Sequence, residues 1–123
     1  MPKPGATGLT RIINAFGYSM KGIYSAIKYE SAFRQEAVLF VVMLPLAFLL
    51  GRNYLELILL IGCLLIVLIV ELLNSAVEAV VDHVSPEFAE LAGRAKDMGS
   101  AAVLIALTNV FLVWGFIAFD RFV

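Results

Sequence analysis

Between Leu57 and Val70 the chain runs through fourteen consecutive apolar residues, and Glu71 ends the run. Such a stretch must satisfy its own backbone N–H and C=O groups in a medium without water, so it forms a helix that enters a membrane. Two further apolar segments bracket it. Phe33 to Gly51 contains the uninterrupted Ala37 to Leu50, with Pro45 tolerated as a kink inside a bundle. Ala101 to Phe119 supplies 19 residues, a length that suits a hydrocarbon core of about 30 Å. Composition agrees: 62% of the 123 residues are hydrophobic, against roughly 45–50% apolar in soluble domains. The mean hydropathy is +0.95. A soluble globular fold is excluded, and an all-α membrane protein is expected.

The first thirty residues carry a different pattern. Leu9, Ile12, Ile13, Phe16, Met20, Ile23 and Ile27 recur at helical spacing, accompanied by Arg11, Lys21 and Lys28. This basic amphipathic stripe predicts a helix lying in the headgroup region. The expected architecture is therefore three transmembrane helices plus an N-terminal amphipathic interfacial helix, in one domain over residues 1–123. The interfacial helix is expected over about 9–29 and the spans over about 33–51, 54–73 and 100–119, with a helical extension of the second span to 82. Gly51-Arg52-Asn53 reads as a tight turn, and Ser85 with Pro86 as the N-cap and first position of a restarted helix. No cleaved signal peptide is expected, because the N-terminus lacks a short apolar core with a small-residue cleavage site. The single cysteine, Cys63, lies within an apolar segment and predicts packing, with no disulfide framework or metal spacing.

Lys3, Arg11, Lys21, Lys28, Arg34, Arg94 and Lys96 flank one side of the spans, and only Arg52 and Arg121 the other. The positive-inside rule then puts the N-terminus and the 82–100 connection in the cytoplasm and the C-terminus outside. Eight of the ten acids share the cytoplasmic side, with Glu56 and Asp120 excepted.

The acids are arranged as well as gathered. At about 100° and 1.5 Å per residue, Glu71, Asn74, Glu78 and Asp82 fall on one helical face over roughly 16 Å. A carboxylate near hydrocarbon is costly without a cation, a partner or water, so a functional site is the default reading for Glu71. Two more polar clusters reach the same depth: Tyr29 to Glu36, and Gly93 to Ser100. Clustered carboxylates suit magnesium, which takes oxygen ligands from one or two carboxylates and from substrate phosphates. Arg94 and Lys96 read as neutralisers of phosphate charge. These are the residue types of phosphoryl transfer, although neither standard glycine-rich phosphate loop occurs.

Plainer readings exist for single positions. Glu36, Glu87, Glu90 and Asp82 fit solvated flanks, Glu30 with Arg34 fits an i, i+4 surface pair, and Asn74, Ser75, Gly99 and Ser100 fit close helix contacts. A proton-coupled transporter would place its carboxylate near the midplane with access from both sides, and a scaffold would need no acids.

Three runs carry a family resemblance: Ala32-Phe33-Arg34-Gln35-Glu36, Val70 to Asp82, and Gly93 to Ala106. They resemble the prokaryotic integral-membrane diacylglycerol kinase, over about residues 8–119. The resemblance implies a homotrimer of three-span protomers in the bacterial inner membrane, with no nucleic-acid partner. Each would transfer the γ-phosphate of MgATP, with ATP as co-substrate, to diacylglycerol to give phosphatidic acid. By family position, Glu71 is implied as general base and Asn74 as its polar support, with Glu30 and Glu78 as Mg2+ ligands. Arg11, Tyr18, Glu30, Glu78, Glu87, Lys96 and Asp97 match positions that contact ATP and its metal. Arg11, Phe33, Arg34, Glu36, Glu71, Ser100 and Trp114 match positions near the lipid. An undecaprenol kinase of the same superfamily would use the same chemistry, but the Ala-Phe-Arg-Gln-Glu run and the Ala-rich stretch after Ser100 favour diacylglycerol. Asp82 receives no role.

Overall fold

A computed structural model of the chain describes residues 7–85, 87 and 89–123. Lys3, counted above for orientation, and Pro86, expected at a first helical position, lie outside the described residues. Four helices follow one another: α1 Gly8–Tyr29, α2 Ser31–Leu50, α3 Tyr54–Val84 and α4 Glu90–Phe122. Three of them, α2, α3 and α4, are long and apolar enough to cross a membrane. At about 1.5 Å per residue, α3 and α4 measure roughly 46 and 50 Å, well beyond a hydrocarbon core of about 30 Å. The surplus length carries polar sequence, and in α3 that sequence is the acidic stripe.

One expectation fails at the α3–α4 connection. Ser85 does not open a helix. It is the C-cap of α3, its N–H bonding Val81 O at 2.8 Å, while α4 starts at Glu90 with Ala89 in the capping position. The Ser85 hydroxyl donates to Glu87 O at 3.0 Å, a local bond that favours a turn over helix initiation. As a result α4 begins about ten residues before the third apolar segment, and the Gly93–Ser100 cluster is helical throughout.

Pro45 lies inside α2 without ending it. The α2–α3 turn is closed by Asn53, whose side chain accepts the Glu56 N–H at 2.9 Å as an N-cap. Arg52 then grips Glu56, Nη2 to Oε2 at 2.7 Å and Nε to Oε1 at 3.2 Å, and its guanidinium also pairs with Asp120 near the end of α4. The neighbouring Arg121 donates to Leu49 O and Leu50 O at 2.9 and 2.8 Å. These last carbonyls of α2 would otherwise lack partners. Beneath this clasp, Ala47, Leu60 and Ile117 are buried against one another, with Trp114 Nε1 donating to Leu60 O at 3.2 Å.

Packing within one chain is sparse. α4 lies chiefly along α3, and α2 touches both α3 and, more lightly, α1. Only 6% of the apolar window of α4 is buried inside the chain, against 28% for α3. The outward faces therefore require lipid or further protein as cover.

Candidate functional site

Glu71 sits where the apolar run of α3 ends, and 4% of its surface is exposed. It is the charged side chain buried among the described residues. The carboxylates of Glu36, Glu78 and Glu30 are all close enough for their charges to act on it. Three elements bring them together. Glu30 occupies the extended kink between α1 and α2, Glu36 the first turns of α2, and Glu78 lies two turns along α3. Among the described residues, none of these four acids is paired with a lysine or arginine.

The kink that places Glu30 is held by Arg34. Its Nη1 donates to Ile27 O at 2.8 Å and Lys28 O at 3.1 Å, capping the C-terminus of α1 across the bend. The plainer reading of Glu30 as an i, i+4 surface partner of Arg34 is not realised, because the guanidinium is committed to those carbonyls. Next to Glu71, Asn74 Nδ2 donates to Glu78 Oε1 at 3.2 Å. Further along α3, Asp82 meets Lys96 of α4, Oδ1 to Nζ at 2.6 Å. Sequence reading left Asp82 without a task, and only the crossing of α3 with α4 supplies its partner.

Two cavities flank the acids. A cleft of ≈ 700 Å³ opens between α1 and α3, with Glu30, Tyr29 and Ser75 on its walls. A second, ≈ 530 Å³, runs between α2, α3 and α4 from Glu36 past Val67 and Phe111 to Trp114 and Ala118. Its lining is otherwise apolar, so it forms an apolar slot with the Glu36 carboxylate in its wall. Trp114 lies about 21 Å along α4 from Ser100. Phe33 is buried within the chain, 5% exposed.

Of the other expected residues, Arg11 lies apart from the acids. Arg11 stands nineteen residues before Glu30 on an exposed face of α1, about 28 Å along the helix. Tyr18 is half-buried on the same helix, with Lys21 Nζ 5.9 Å from its ring centroid. Glu87 is exposed in the α3–α4 connection, and Asp97 and Ser100 are exposed on α4.

The donor set is compatible with magnesium. It consists of oxygen ligands without compensating cations, and among the described residues no three acidic, His or Cys side chains converge tightly enough to hold an ion unaided.

Three helices long and apolar enough to span, with carboxylates gathered beside an apolar slot, define the class of multi-pass membrane proteins with a polar site. Comparison with known proteins specifies the family. The family model for prokaryotic diacylglycerol kinase matches residues 17–118. The chain is 54% identical over 113 residues to a diacylglycerol kinase of Haemophilus influenzae, covering 92% of this chain and 96% of that one. It is 49% identical over 116 residues to that of Escherichia coli K12, covering 94% and 95%. For Pseudomonas aeruginosa the figures are 53% over 113 residues, covering 92% of each chain. The chain belongs to the prokaryotic diacylglycerol kinase family.

Proposed function

We propose that this ATP-dependent diacylglycerol kinase uses Glu71 as the general base that takes the proton from the lipid hydroxyl as it attacks the γ-phosphate of ATP. The observation that carries this reading is the burial of Glu71 at the end of the apolar run of α3, with Glu36 supplying the carboxylate of the apolar slot. Acyl chains seated in the slot leave a lipid hydroxyl at headgroup depth, where the Glu71 carboxylate ends its apolar run. A carboxylate there accepts a proton with few competing waters.

ATP approaches from the water side of α3, past Asp82 and Glu78. Lys96 supplies a point charge to its phosphates once it exchanges Asp82 for them. Glu30 and Glu78 would hold Mg2+, which when bound neutralises phosphate charge and favours transfer. Asn74 keeps the Glu78 carboxylate turned along α3 through its amide. Arg11, Tyr18, Glu87 and Asp97 contribute nucleotide contacts, while Phe33, Arg34, Glu36, Ser100 and Trp114 shape the lipid side. Arg34 does so indirectly, by fixing the α1–α2 kink.

The four helices act as one kinase domain that assembles as a homotrimer in the bacterial inner membrane, with the N-terminus and site cytoplasmic. The sparse burial of α4 supports an assembly, since three spans leave the site open on its flank. Purified protein in mixed micelles with labelled MgATP is expected to phosphorylate diacylglycerol in preference to undecaprenol. Glu71→Gln is expected to abolish transfer nearly completely while the oligomer survives, and full activity in that variant would overturn the base assignment.

A further inference from the structure

The close approach of α4 to α3 at Gly99 has the side chain of Asn74 in it. A β-carbon built on Gly99 would overlap Asn74 Oδ1, and would stand 3.3 Å from Asn74 Cγ and 3.9 Å from Asn74 Cα. The helical glycines Gly17, Gly22, Gly62 and Gly115 have nothing within 4 Å of the same position. Asn74 Oδ1 is buried and has no hydrogen-bond partner, while the other end of the same amide, Nδ2, is the donor to Glu78 Oε1.

An amide group is rigid, so seating its oxygen fixes where its nitrogen points. We propose that Gly99 is a positioning residue for the kinase reaction: its missing side chain leaves a notch that seats Asn74 Oδ1 and thereby turns Asn74 Nδ2 onto Glu78. This rests on the functional reading of Asn74 and Glu78 given above. The alternative, that glycine serves only to let two helices approach, is common in membrane bundles. The distances separate the two. The overlap falls on the terminal atom of a flexible side chain, whereas the Cα of Asn74 would remain at ordinary contact distance. A methyl group at position 99 is thus relieved by turning the whole Asn74 side chain, since Cγ at 3.3 Å must give as well as Oδ1, without separating the helices, and that turn breaks the bond to Glu78.

A double-mutant cycle in detergent micelles tests this on the full chain, with kcat, thermal melting and the side-chain amide signals of Asn74 in 15N NMR as readouts. Gly99→Ala is expected to lower kcat about 10- to 100-fold, the scale of a lost hydrogen bond to a charged group, and to displace the Asn74 amide signals. In the Asn74→Ala background the same substitution is expected to change kcat by less than about twofold, because the overlapped atoms are gone. Additive losses, or unmoved Asn74 signals in Gly99→Ala, would overturn the notch. A fully active Asn74→Ala would instead overturn the functional reading of Asn74, and with it the relevance of the notch to the reaction. Should Gly99→Ala alone not fold, the double variant decides. It folds if the notch serves Asn74, and fails again if the glycine serves the helix contact.

Discussion

Replacing Glu71 by Gln separates chemistry from stability, because the two are set by opposing demands on one carboxylate. Burial to 4% exposure removes most of its hydration, and the charges of Glu36, Glu78 and Glu30 all oppose its own. A single like-charge pair 8 Å apart costs about 2 kcal/mol at an effective dielectric of 20. Partly exposed neighbours are screened, so the combined effect of the three acids is set at about 1–3 kcal/mol. Gln keeps the shape and removes the charge, so the variant is expected to melt a few degrees higher than the parent, roughly 2–8 °C on the usual relation between free energy and melting temperature. Its transfer rate is expected to fall by about 10²–10⁴, the typical contribution of a general base. Both quantities come from one preparation: initial rates with saturating MgATP and diacylglycerol in mixed micelles, and a thermal melt in the same detergent. A variant that loses activity and also melts lower would refute the reasoning, since the loss would then trace to damaged packing. So would a variant working within twofold of the parent.

Other outcomes follow from contacts elsewhere. Asp82→Asn frees Lys96 from an ion pair whose side chains are 63% and 43% exposed; such pairs are worth about 0.2–1 kcal/mol, so KM for ATP is expected to fall by at most about fivefold at low salt. That advantage should fade as ionic strength rises, and a raised KM would show that Asp82 itself serves the nucleotide. Arg121→Ala strips two hydrogen bonds from the α2 terminus and is expected to lower stability by about 1–2 kcal/mol with kcat unchanged, measured by melting and by rate. Leu60 is fully buried between Ala47 and Ile117, so Leu60→Ala is expected to cost about 2–5 kcal/mol, read as a lowered melting temperature.

Local sequence makes much of this protein legible. An apolar run of fourteen residues leaves its backbone one way to satisfy itself, so the second span needs no tertiary information. The same holds for the acidic face, since 3.6 residues per turn put Glu71, Asn74 and Glu78 on one side wherever the helix is placed. The α3–α4 connection was less legible. Ser85 looks like an N-cap by residue type, but its hydroxyl finds Glu87 O first, and capping depends on which backbone groups are within reach.

Contacts between helices depend on rotation, depth and crossing, none of which a helical period encodes. Arg34 reads as a surface charge until the α1–α2 bend presents carbonyls to it, and Arg121 needs α2 ends that lie 71 and 72 residues earlier in the chain. Asp82 acquires Lys96, and Asn74 acquires the notch at Gly99, only when α4 lies along α3. Sequence by itself determined which residues are apolar, which helices must form, and that a carboxylate ends an apolar run of fourteen residues. Tertiary structure decided which side chains meet that carboxylate, because each such meeting joins separate helices whose relative placement is set by packing of the bundle as a whole.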